Sequence, residues 1–139
     1  MAQGLMQEKL RRERRAIEFR AESAGVWTSD GRPATEASVI VMASRGIDIE
    51  DHRSRLITEE IVRNAALILT MTRSHAEAIR AEFPAFRNKV YMLSEMVGAK
   101  YDVEDPVGGT LQQHEMTAQD IENLIERGFP RIMQLAGGK

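Results

Sequence analysis

An α/β fold with a parallel sheet is predicted by three observations. Ala66-Leu67-Ile68-Leu69-Thr70-Met71 is a near-continuous apolar run, the pattern of a parallel strand covered on both faces. Lys89-Val90-Tyr91-Met92-Leu93 is a second strand-like run, and helix-forming sequence separates the two. Strands alternating with helices pair in parallel through right-handed crossovers, and ligands then collect at the carboxyl ends of the strands.

At 139 residues, 42% hydrophobic and 29% charged, the chain has the size and composition of one soluble domain spanning 1–139 with a core of its own. Its net charge of −2 gives no footprint for nucleic acid or an acidic membrane surface. No apolar run approaches the length of a membrane span, and Lys9, Arg11 and Arg12 follow Leu5 and Met6 too soon for a signal peptide, so a cytoplasmic location is expected. With no cysteine, disulfides, thiolate metal sites and a thiol nucleophile are excluded within these residues. His52, His75 and His114 lie in separate segments without ligand spacing, so neither a metal nor another cofactor is expected. The eight methionines sit among apolar positions and read as core filling.

Taken in order, Ala2 to about Arg15 reads as a helix, with Leu5, Met6 and Leu10 at helical spacing and no capping residue before it. Its Arg11, Arg12, Arg14 and Arg15 are interrupted by Glu13, as in a solvated helix end; a nucleic-acid footprint needs a larger basic face. Ile17, Phe19, Ala21 and Ser23 alternate with charged residues, which predicts an edge strand with one wet face over 17–23. Asp30-Gly31-Arg32-Pro33 is a turn, and Thr35 caps a helix with Val39, Ile40 and Ala43 inward, ended by Gly46. Thr58 caps a short helix through Asn64. Thr72 or Ser74 starts a helix that ends before Pro84. Ser94 to Val97 is a further helical turn. Leu111, Ala118, Ile121, Leu124, Ile125 and Ile132 mark a long amphipathic helix that Pro130 should kink or end.

Between the last strand and that helix lies Val103-Glu104-Asp105-Pro106-Val107-Gly108-Gly109-Thr110. Pro106 pushes Asp105 toward extended backbone, and the two glycines permit a tight return. A carboxyl group presented on such a turn at a pocket rim has what a general acid needs; taken alone, the motif reads first as a solvated turn.

Six pieces, in this order, resemble the low-molecular-weight protein tyrosine phosphatases, in the bacterial branch that includes protein-arginine phosphatases. They are Met1-Ala2-Gln3-Gly4-Leu5, Glu22-Ser23-Ala24-Gly25-Val26-Trp27, Arg45-Gly46-Ile47-Asp48, His52-Arg53-Ser54-Arg55, the Ala66 to Thr72 strand, and Glu104-Asp105-Pro106-Val107-Gly108-Gly109. The resemblance implies three layers, helix/parallel sheet/helix. It also implies a thiolate nucleophile on a Cys-x5-Arg phosphate loop, with Asp105 as the general acid that protonates the leaving group. By the same resemblance Ser23 and His52 support the phosphate loop from behind, and Trp27 and Val107 form the substrate cleft wall. Without it, Ser23 reads as a strand-end hydroxyl, His52 as a locally satisfied histidine and Trp27 as packing.

The family begins with a central strand and that phosphate loop, and this chain opens on the residues that follow them. An N-terminally truncated record is therefore expected, with no turnover by the chain as written and phosphotyrosine or phosphoarginine proteins, or small phosphomonoesters, as the family's substrates. The alternative is a natural non-catalytic relative that binds a protein partner; a nucleic-acid binder through Arg11 to Arg15 is a weaker third reading. The arsenate reductases of this fold require cysteines and are set aside. For the sheet, a chain without the central strand is expected to leave a gap, to pair 17–23 directly with 66–71, or to fill the space in a strand-exchanged homodimer.

Overall fold

A computed structural model describes residues 1–26, 30–106 and 108–137. The elements run α1 (Ala2–Arg12), α2 (Glu36–Ala43), α3 (Glu59–Asn64), β1 (Ile68–Thr70), α4 (Arg73–Glu82), β2 (Val90–Met92) and α5 (Leu111–Gly137), with short 3₁₀ helices at Pro84–Lys89 and Leu93–Val97. β1 and β2 pair in parallel, Ile68 opposite Val90 and Thr70 opposite Met92, with α4 as the crossover. The predicted α/β class therefore holds.

Alternation along these strands builds the layers. Leu67, Leu69, Met71 and Tyr91 pack against a core of Leu5, Val41, Met42, Ile121 and Leu124 contributed by α1, α2 and α5. Ile68, Val90 and Met92 face the other way, onto Ala76 and Ile79 of α4. Helix starts follow the threonine signals: the side chains of Thr35, Thr58 and Thr72 accept N–H bonds from Ser38, Ile61 and His75.

Three sequence expectations need correction, and of the two outcomes expected at Pro130 one, an ended helix, does not occur. Residues 17–23 form no strand: Ala16–Glu18 make a turn, Ile17 is fully exposed, and irregular backbone follows. A period-two pattern becomes a strand only where a neighbour supplies ladder bonds. Here one bridge forms, with Gly25 N–H on Arg55 O (2.8 Å) and Ile57 N–H on Gly25 O (2.9 Å). Direct pairing of this segment with 66–71 is correspondingly absent among the described residues.

α1 stops at Arg12 because Arg14 turns left-handed (φ +59°). The Arg15 N–H then reaches Leu10 O (2.8 Å) and the Arg14 N–H reaches Arg11 O (3.1 Å), the paired bonds of a Schellman cap. In α2 the buried residues are Val41 and Met42, whereas Ile40 is 46% exposed and Ala43 is exposed. Every α2 position from Val39 to Ala43 is apolar, so its sequence could not say which face turns inward. α5 runs through Pro130 to Gly137. The proline removes one backbone donor, while Ile125, Gly128 and Ile132 on either side are buried and hold the helix to the core.

α1 is fastened to α5 by charge as well as by Leu5 and Leu10. The buried Lys9 gives Nζ bonds to Glu126 Oε2 (2.6 Å) and Glu13 Oε1 (2.9 Å) and lies 5.0 Å from the Phe129 ring centre. Arg12 binds the other Glu126 oxygen (2.5 Å). These two hydrogen bonds hold the Glu126 carboxyl below its usual range, with Lys9 the larger influence.

Two stability measurements check this account. Arg14→Gly should raise the unfolding free energy by about 1 kcal/mol, since glycine has no penalty in the left-handed region; a loss in chemical denaturation would contradict the cap. Glu126→Gln should lower it by about 1–2 kcal/mol at pH 7, between an exposed and a fully buried pair. That loss should shrink as pH falls through the depressed Glu126 value, because the wild-type carboxylate is then protonated in the folded chain too.

Candidate functional site

The backbone at Val103 meets the chain just beyond the carboxyl end of β1, and hydrogen bonds tie the chain down on both sides of Asp105. The buried Ser94 Oγ donates to Tyr101 O (2.9 Å) and accepts the Tyr101 N–H (3.0 Å). Asp102 Oδ1 accepts the Arg73 N–H (2.8 Å) at the start of α4, and the N–H of buried Val103 bonds Met71 O (2.9 Å) just beyond β1.

Beyond Asp105, Pro106 O accepts the Gly109 N–H (2.6 Å). A Cβ at Gly109 would lie 2.8 Å from that carbonyl, so the turn requires glycine there. Thr110 and Gln113 cap α5 reciprocally: Gln113 N–H to Thr110 Oγ1 (3.1 Å) and Thr110 N–H to Gln113 Oε1 (2.8 Å). The buried imidazole of His114 holds the same corner, its Nδ1 2.9 Å from Thr110 O. Asp105 itself is exposed.

The first turn of α1 has no side-chain cap. The Met1 ammonium is pushed below its usual range by burial and pulled back up by the Asp105 carboxylate. His52 is partly buried, and its imidazole is held below the ordinary value, first by burial and then by the positive charges of the chain terminus and Arg53. The exposed Ser23 donates from Oγ to Gln3 Oε1 (2.6 Å), and its carbonyl accepts from Arg55 Nε (2.9 Å). Met1, Gln3, Ser23, Asp48 and His52 line one open pocket of about 810 Å³.

The structure thus brings Ser23 and His52 into one pocket with the first turn of α1, while Asp105, which is not among the residues lining that pocket, comes close enough to act on the charge of Met1. Trp27 and Val107 lie outside the described residues. Sequence reading passed over Ser94, Asp102, Thr110, Gln113 and His114, which hold the Asp105 loop. Of these, Thr110-x-x-Gln113 ahead of an apolar stripe was a readable capping signature. Chemically, helix N–H groups without intrahelical acceptors can hold an anion, and a carboxyl group opposite them can give it a proton. Among the described residues no group of three His, Asp or Glu could hold a metal ion.

The electrostatics are open to titration. Because the folded chain holds His52 below about 6.5, the unfolded chain binds more protons as pH drops past that value, and stability falls from pH 7 toward pH 5. The His52 Cε1–H resonance should titrate with a midpoint under about 6.5, and His52→Gln should flatten the stability slope in that window. A midpoint at or above the ordinary value would show that the imidazole is neither desolvated nor near the α1 terminus.

Comparison with known proteins bears on the family of the chain. The family described as Low molecular weight phosphotyrosine protein phosphatase matches residues 1–134. A protein-arginine-phosphatase of Bacillus subtilis (strain 168) is 34% identical over 116 residues, 83% of this chain and 77% of that protein. The probable low molecular weight protein-tyrosine-phosphatase EpsP of Ralstonia nicotianae is 35% identical over 113 residues, 81% of this chain and 77% of that protein. Among solved structures, the low molecular weight protein tyrosine phosphatase from T. tengcongensis superposes with a TM-score of 0.88 at 34% identity, covering 94% of this chain and 88% of that one. With the α/β layers of the fold and the match along nearly its whole length, the chain belongs to the low molecular weight phosphotyrosine protein phosphatase family.

Proposed function

We propose that this chain carries the general-acid side of a cytoplasmic protein phosphatase acting on phosphotyrosine or phosphoarginine, and that these 139 residues alone do not turn over. The reading is supported by the pocket that Met1, Gln3, Ser23 and His52 line at the start of α1, with Asp105 near enough to act on the charge of Met1. An anionic phosphoryl group held at that helix end lies within the field of Asp105. Protonated, Asp105 would donate to the leaving oxygen or nitrogen as its bond to phosphorus breaks; ionised, it would take a proton from the water that releases phosphate. Ser23 and His52 keep the anion-binding end of α1 in place, Ser23 through Gln3, and Trp27 with Val107 shapes the substrate side.

The family's covalent route requires a thiolate to form the phosphorus–sulfur bond, and no cysteine occurs in these residues. Without that bond, a proton donor and an anion site leave most of the barrier in place. The same absence favours one second reading, a non-catalytic relative that retains the phosphoprotein cleft as a binding surface.

Purified protein should show no hydrolysis of p-nitrophenyl phosphate, phosphotyrosine peptides or phosphoarginine peptides above the level of its Asp105→Asn variant. Turnover lost on that substitution would refute the inactive reading. Fusing a family-type strand and Cys-x5-Arg loop before Met1 should produce turnover, and Asp105→Asn should then reduce kcat by about 10²–10⁴. Equal rates for parent and variant on a poor leaving group would remove Asp105 from the acid role. Binding of phosphopeptide by a chain that stays inactive after the fusion would favour the non-catalytic reading.

A further inference from the structure

We propose that His114 is the positioning residue of the general acid: its imidazole, held in a single tautomer by the Thr110 carbonyl, fixes the turn that aims Asp105. The role rests on the reading of Asp105 as that acid. Of the three histidines only His114 is buried, at 2% exposure, in the first turn of α5. Its Nδ1 lies 2.9 Å from Thr110 O. A carbonyl oxygen carries no proton, so Nδ1 is the donor and Nε2 of the neutral ring holds the lone pair.

The helix does not need that bond. The Thr110 carbonyl, at the cap position, already accepts its intrahelical partner, the His114 N–H (3.1 Å). A second donor from the same residue occupies the other lone pair and fixes the plane of the carbonyl. The Thr110 N–H goes to Gln113 Oε1 (2.8 Å), and its hydroxyl oxygen accepts the Gln113 N–H (3.1 Å). An exposed threonine thus has both backbone groups and its hydroxyl engaged by the helix it opens.

The chain ahead of Thr110 needs such an anchor. Gly108 (φ +76°) and Gly109 give it a wide choice of backbone conformations. The Gly109 N–H closes onto Pro106 O (2.6 Å), so Pro106 turns with Thr110, and Pro106 in turn restricts the backbone of Asp105. On the amino side the bonds of Asp102 and Val103 hold the chain only as far as Val103. The orientation of Asp105 is therefore set from the Thr110 side. A phenylalanine could fill the space of the imidazole but could not hold that carbonyl, and a polar ring is costly to bury unless its bond is made.

The test compares His114→Phe, which fills the space without a donor, with His114→Asn, whose side-chain amide can donate from the place of Nδ1. In the full 139-residue chain, His114→Phe should speed amide exchange of Gly109 and Thr110 roughly tenfold, the worth of one hydrogen bond, with Leu124 in the core unchanged. His114→Asn should stay near the wild-type rate. If packing were the whole role, the smaller Asn would be the worse variant, and that order would overturn the proposal. Nitrogen NMR of the wild type should show one neutral tautomer with the proton on Nδ1; a mixture, or a proton on Nε2, would also overturn it, and this measurement decides if His114→Phe fails to fold. In the fusion carrying a family-type strand and Cys-x5-Arg loop, His114→Phe should lower kcat on a poor leaving group roughly tenfold at unchanged KM, again by the worth of one bond, and His114→Asn should restore it. A normal rate for His114→Phe beside a lost rate for Asp105→Asn would refute the positioning role alone; normal rates for both would take the acid role from Asp105, and the proposal with it.

Discussion

The buried stripe of α5 is the surface on which the rest of this structure depends. Two strands of three residues each offer too few ladder bonds to organise a domain. α5 instead presents His114, Ala118, Ile121, Leu124, Ile125, Gly128 and Ile132 to one core. α1, α2 and the 3₁₀ helix at Leu93–Val97 all pack on that stripe. At Gly128 the fit allows nothing larger, since a Cβ would stand 2.6 Å from Met96 Cβ. Such close contact explains how a helix of 27 residues tolerates an internal proline: the apolar burial on either side outweighs one lost backbone bond.

The site inherits its geometry from two separate supports. One support is the end of the sheet together with the starts of α4 and α5, which fix Tyr101, Asp102, Val103 and Thr110 and so present Asp105. The other is α1, which carries its own terminus, Gln3 and the hydroxyl of Ser23 to the opposite side. Ser23 and His52 share one pocket with the first turn of α1.

Local signals were legible in the sequence wherever one residue decides the outcome. Thr35, Thr58 and Thr72 mark helix starts because a hydroxyl acceptor is needed there, and Asp105-Pro106 reads as an exposed turn because proline restricts the backbone on both sides. What failed depended on neighbours. The alternation at 17–23 was genuine but had no ladder partner, and the inward face of α2 could not be read from a helix apolar all round. Arg14 in a left-handed cap position carries no sequence signature, since glycine is the residue that announces that turn. The site followed the same division: Asp105, Ser23 and His52 were found through motif order, whereas Ser94 and His114 matter through the tertiary contacts that bury them.

The docking of α1 by Lys9 and Arg12 onto Glu126 spans 117 and 114 residues of sequence. By contrast, β1, α4, β2, the Leu93–Val97 turn and α5 follow one another directly and pair with near neighbours in the chain. Contacts of short sequence separation close fastest, because they sacrifice the least loop entropy. Contacts within the carboxyl-terminal half, which present the Asp105 loop, therefore close over shorter loops than those that dock α1 or α2 on α5. The two halves of the site thus hang on different contacts: a substitution that loosens Lys9 and Arg12 from Glu126 reaches the anion-facing end of α1 while the bonds that hold the Asp105 loop stay intact.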